Sequence, residues 1–364
     1  TAQVRALSLA AMDGLSTAQI AIIELEDVRA LSSAQLNGFS KAQLTALTFE
    51  QIASLATGQI ATLAAAELSA LTTGQINMLS TLSVLNSNQV QALTSTQLGA
   101  IDNDHFATLR SSQIAALQVR QVAQLTTSQL GALSTQQVRG LDVTALSTIQ
   151  IGSLSVASVS SLSSSQFVSL KTSQLSALTT NQITALATRS LAALAAAQIA
   201  GLTTDQLVAL GSLSAFTTGQ MTGFTSAQIA GLGADMVGTL RTNQLAMLGA
   251  VQARGLTTAQ IATLEGPQVS VLSVAALNAL NSDQIQMLDA NDIVALKTAQ
   301  IAGLNAASIA NLSAVQIASL TTAQAASLST DQIAALAMPQ LTGLTTAQMP
   351  WLTAEQLAAF SAVQ

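Results

Sequence analysis

The 364-residue sequence predicts an all-α solenoid, a superhelix of very short capped helices with one helix in each eight-residue repeat. Three observations predict it. The unit Ser/Thr-x-x-Gln-Ile/Leu/Val-x-x-Leu recurs roughly 45 times, as in SSAQLNGF, SKAQLTAL and TFEQIASL between Ser32 and Leu55. Its first and fourth positions pair as a helix N-terminus pairs. Its two apolar positions are spaced three and then five apart, which no long helix or flat strand can bury.

The spacing comes first. A helix turns about 100° per residue, so eight residues overshoot two turns by about 80°. A continuous helix would wind its apolar stripe around itself. In one strand, a spacing of three puts the two apolar residues on opposite faces. A β-solenoid with a turn inside each octad is the remaining alternative.

The short helix explains more positions. Ser or Thr at position 1 with Gln at position 4 is a capping box, in which the hydroxyl accepts from the N3 amide and Gln reaches back to the cap amide. Position 1 otherwise holds Asn86, Asp102, Asp142, Asn281, Asp289 or Asn305, all good caps. Position 4 varies to Asp27, Glu67 and Asp292, and Glu is the other standard partner. Pro267 and Pro339 fall at position 3, inside the first turn, where a missing N–H is tolerated. Position 5 is apolar, with Ala253 and Ala325 as small members. Position 8 is Leu, or Ile23, Phe39, Ile101, Phe216, Phe224 or Phe360, and is placed to staple onto position 5 of the next unit. Position 7 is mostly Ala, Gly or Ser, which predicts a left-handed or tight exit. Leu and Ile are expected inside, with Thr, Ser and Gln outside.

A helix this short is not stable alone, and two apolar side chains make no core, so burial must come from stacked neighbours. Residues 1–364 read as one continuous array. The chain opens in mid-unit at Thr1 and stops in mid-unit at Gln364, without polar capping repeats, so a segment of a longer array is expected. Shortened units at 80–85, 142–146 and 211–216 keep a terminal Leu or Phe. They are positioned to bend the solenoid or shift its register, or they are neutral drift. Pro350-Trp351 should weaken its unit's exit.

Composition narrows function. Charged residues are 8%, against about 25% in ordinary domains. A net charge of −6 with eleven scattered Lys and Arg opposes nucleic-acid binding. No apolar run is long enough for a membrane-spanning helix. Cysteine is absent. Low charge and mild acidity fit an extracellular or cell-surface location.

Site chemistry is sparse. The single His105 occupies the position-4 slot, where a local backbone hydrogen bond is expected. No catalytic residues and no cofactor are assigned. Abundant Ser and Thr have no recurring base beside them. Asp102 and Asp104, and Asp289 and Asp292, are the metal candidates, with calcium as the cation. Both segments are short of ligands and place their acids where a helix N-terminus favours them. Arg5, Arg29, Arg139 and Arg254 share position 6, read as solvent-facing.

Leu256-Thr257-Thr258-Ala259-Gln260-Ile261-Ala262-Thr263-Leu264 resembles the opening of the TAL-effector repeat. The resemblance covers about the first helix of that longer repeat; the base-reading loop, second helix and basic charge have no counterpart. It implies a capped helix without DNA binding. The array as a whole resembles Ser/Thr-Ala-Gln-Ile repeat tracts of large bacterial secreted or surface proteins; the uniform array, the sparse site chemistry and the missing end caps lead to the expectation of a structural segment of an extracellular filament, stalk or adhesin, and uncapped apolar ends to that of self-association. A solenoid binding peptide, protein or glycan is the alternative, and ice binding the third. Enzyme activity ranks below these.

Overall fold

The computed structural model describes residues 2–361; Thr1 and the three residues after Ser361 lie outside it. The described residues form 41 α-helices and three 3₁₀ turns, without a strand, in the all-α solenoid architecture expected. They group into two compact units, Thr1–Leu170 and Lys171–Gln364, and the octad pattern runs through both.

Helices start where the capping grammar places them. Thr72 has extended backbone (φ −70°, ψ 161°), and its hydroxyl accepts from the Gln75 amide while Gln75 Oε1 accepts from the Thr72 amide. The box recurs from Ser16–Gln19 in the first unit to Thr353–Gln356 in the second. Where position 1 lacks a capping side chain, half of the box survives. The backbone amides of Ala56, Arg110, Lys297 and Ala337 still donate to the Gln three residues on. Pro267 and Pro339 sit in the first turn, as expected. Pro350 belongs to a 3₁₀ turn, Met349–Trp351, in place of an α-helix.

Of the two expected exits the tight one forms, with Leu47 N donating to Leu44 O and Leu55 N to Ile52 O, and the left-handed one does not. Among the described residues no non-glycine has positive φ, and Gly211 is the glycine that does (φ 68°). Ser54 at position 7 remains right-handed (φ −78°, ψ −12°), and Leu47 at position 8 is extended (φ −59°, ψ 131°). Position 7 is small for another reason, close packing between units. A Cβ on Gly223 would lie 1.9 Å from the Ala196 carbonyl oxygen, and one on Gly255 would lie 2.3 Å from that of Ser226. In each pair, position 7 abuts position 2 of the repeat three units earlier.

Positions 5 and 8 form the core. Ile76, Leu79 and Phe106 in the first unit and Ile261, Phe216 and Ile333 in the second are buried, and so are Ala253 and Ala325. Position 4 departs from the sequence reading. Gln75, Gln121 and Gln260 are buried rather than lining the outside. A buried primary amide must find partners for both donor and acceptor atoms.

Candidate functional site

The buried amides are the most organised polar feature of the molecule. Gln75 Nε2 donates to the carbonyls of Leu44 and Leu47, both at 2.9 Å and 31 and 28 residues earlier. Those are positions 5 and 8 of the repeat four units back. Gln121 and Gln129 repeat the arrangement in the first unit, and Gln260, Gln316 and Gln324 in the second. The chemistry is direct. Each short helix leaves carbonyls without full intrahelical partners at its C-terminal end. One amide therefore caps its own helix through Oε1 and satisfies another helix's carbonyls through Nε2.

A second set of contacts reaches three units. Arg5, Arg29 and Arg139 donate Nε to the carbonyls of Ala30, Ser54 and Ser161. These arginines are exposed, as expected, and in addition tie position 6 to a repeat three octads on. Asn37 and Asn278 do both jobs. Asn37 Nδ2 donates to Thr62 O at 2.9 Å, and its Oδ1 accepts from Ala64 N at 2.8 Å. Asn278 bridges Gly303 and Asn305 in the same way. Neighbours three and four units away mean that each superhelical turn takes between three and four octads.

The shortened units leave this register unshifted. Ser80–Leu85 lacks two residues and Asp142–Leu146 three. Across the first, Gln89 and Gln97 reach back 26 residues rather than 28 to Leu63 and Leu71. Across the second, Gln150 and Gln166 reach back 25 to Leu125 and Leu141. Around Gly211–Phe216 the offset is again 26, from Gln220 to Leu194. The chain shortens while the same carbonyls stay engaged.

The candidate site residues are largely occupied by capping. Asp102 caps Asn103–Ala107; Oδ1 accepts from the His105 amide, and Oδ2 lies 2.8 Å from His105 Nδ1. His105 therefore pairs with the cap carboxylate rather than with a backbone group. The hydrogen bond from the His105 amide is the main reason the Asp102 carboxyl is held below its usual range. Asp104 lies in the first turn of the same helix. Asp289 and Asp292 form a reciprocal box, Asp292 N to Asp289 Oδ1 at 2.8 Å and Asp289 N to Asp292 Oδ2 at 2.9 Å. Among the described residues no three His, Cys, Asp or Glu side chains come together as a metal site. Trp351 is 62% exposed.

Glu67 does not take the capping-partner role expected of it, because the Ala64 amide donates instead to Asn37 Oδ1. Glu67 occupies the Gln slot, and its Oε2 is the buried side-chain atom without a partner among the described residues. Its apolar surroundings include Leu36, Leu44, Leu47 and Ile52. Open surface hollows of about 510 and 470 Å³ lie beside the stapling arginines Arg5 with Arg29 and Arg139, and one of about 460 Å³ lies beside Arg254. The hollow beside Arg254 is lined by Ser226, Thr257 and Thr258 together with Asp283.

Residues 20–57 and 287–322 match the family described as ALTTAQ repeat. No curated protein matches the chain. No described helix is long and apolar enough to cross a membrane. The chain is a repeat protein whose most developed polar apparatus holds its own repeats together.

Proposed function

We propose that the chain is a structural repeat protein, a segment of an extracellular or cell-surface filament, stalk or adhesin, without catalytic activity. The observation that carries this reading is the glutamine lattice. The recurring side-chain amides are directed at neighbouring repeats, where an enzyme would direct polar groups into a shared cleft. Low charge and the absence of cysteine favour the same role.

The lattice also supports self-association. Octads with Gln at position 4 offer amide donors to the repeats before them and carbonyl acceptors to the repeats after them. A second copy can extend that directional pattern head to tail, the geometry that generates open filaments. Electron microscopy of native material tests the reading. Fibres or surface extensions labelled by an antibody to the chain are expected, and isolated monomers in the cytoplasm would sink it.

A binding module for peptide, protein or glycan is the second reading. It is favoured by the surface hollows beside Arg139 and Arg254 and by exposed Trp351. Ice binding loses ground, because position-1 hydroxyls such as those of Thr72 and Thr321 are already engaged by helix amides.

A further inference from the structure

Asp292 differs from every other position-4 residue. It is 4% exposed, and its partner in the capping box is a second carboxylate, Asp289. Where Gln stands in this slot, one neutral amide serves as acceptor and donor. Aspartate is one methylene shorter and, when ionised, only accepts. The carbonyls of Ile261 and Leu264 occupy the positions that Gln324 addresses in its own neighbour at Ile293 and Leu296. No hydrogen bond from Asp292 reaches them.

The surroundings add no compensating charge. The helix Ala290–Ala295 packs against Gly266–Val269 and Ala314–Ser319. Gly266 approaches closely enough that an added Cβ would meet Ala295 Cβ at 3.0 Å. The charged residues on or beside the adjoining segments are Glu265, Asp283 and Lys297, and the charge that bears on Asp292 is that of Asp289.

We propose that the Asp289–Asp292 pair is an acid-tightened joint: a proton bound by the pair removes charge from the buried slot and strengthens the packing of this repeat against its neighbours. The electrostatics have the required sign. Burial is the largest influence on the Asp292 carboxyl and pushes it up from 3.8; the hydrogen bond from the Asp289 amide lowers it, and the Asp289 charge raises it. A group raised on folding binds its proton in the folded chain at a pH where the unfolded chain has lost it. Stability at this joint therefore grows on acidification and declines as pH climbs through the raised value.

The test is Asp292→Asn, which keeps the size and one acceptor and removes the charge. Melting temperatures of the full chain and the variant are compared between about pH 7 and about pH 4, around the aspartate range. The variant should melt higher at neutral pH, and the gap should close on acidification. A variant that melts no higher at neutral pH, or a gap that stays constant, overturns the proposal. Carbon-13 NMR of the Asp292 carboxyl gives an independent reading. A titration midpoint above the usual aspartate value is expected, and one at or below it contradicts the proposal.

Discussion

The neighbouring repeats Thr72–Leu79 and Ser80–Leu85 differ by two residues, and the difference separates what makes a helix from what holds a turn together. The first has the cap, the glutamine and a six-residue helix, Thr73–Met78. The second keeps a hydroxyl that accepts a local amide, Thr81 Oγ1 from Ser83 N, but has lost the glutamine and its capping box, and no helix forms there. Yet Leu82 and Leu85 are as buried as Ile76 and Leu79. The carbonyls of Leu82 and Leu85 each accept from Gln113 Nε2 at 2.8 Å. Capping residues build the helix, while the pair of apolar residues three apart, with their carbonyls, holds the repeat in place.

The strongest way to break this comparison is through the core. Leu85→Ala is expected to destabilise by about 2–5 kcal/mol, as Leu79→Ala does, although only Leu79 follows a helix. Thermal or denaturant unfolding of the two variants checks this. A much smaller effect at Leu85 would mean that shortened repeats are passive spacers.

Next in size is Gln113→Ala. It leaves the two carbonyls of the shortened repeat without their amide and costs about 1–3 kcal/mol, measured in the same assay. Local amide hydrogen exchange around Ser83–Leu85 should accelerate with it.

Glu67→Gln sharpens the comparison from the opposite side. It allows an amide NH2, which can donate to neighbouring carbonyls, to replace the buried, unpartnered oxygen and is expected to raise stability by about 1 kcal/mol. Thr72→Ala comes lower. It removes one capping hydroxyl but leaves the Gln75 half of the box, as at Ala56, so a loss of about 0.5–1 kcal/mol is expected. The smallest effect is at Asp102, which is exposed. Its carboxyl is lowered in the fold, so its capping contribution is present above the ordinary aspartate range and is lost as pH falls through the lower folded value. Asp102→Ala should therefore lose a few tenths of a kcal/mol at neutral pH and nothing in strong acid, the opposite trend to Asp292.

The cap, its exceptions and the apolar core were legible in the sequence because each is a relation within one octad. Relations between octads were harder to read. Position 7 was legible as a tight exit, whereas the packing limit shown by the Gly223–Ala196 contact is set by another repeat. Arg29 is exposed as expected, but its bond to Ser54 O was not legible because that partner is 25 residues away. One signal for the lattice was present. A capping box accepts Glu as readily as Gln, yet position 4 repeats Gln and offers Glu at Glu67 alone. That preference needs a donor as well as an acceptor, and no donor is required by capping.

The most direct test of the lattice is therefore Gln75→Glu. Glutamate retains the acceptor for the Thr72 amide, so a residue that only caps would tolerate the change. The lattice predicts a loss of about 2 kcal/mol or more at neutral pH, larger than that of Thr72→Ala, because both donors to Leu44 and Leu47 disappear and a charge is buried. An unfolding curve superimposable on that of the unaltered chain would contradict it.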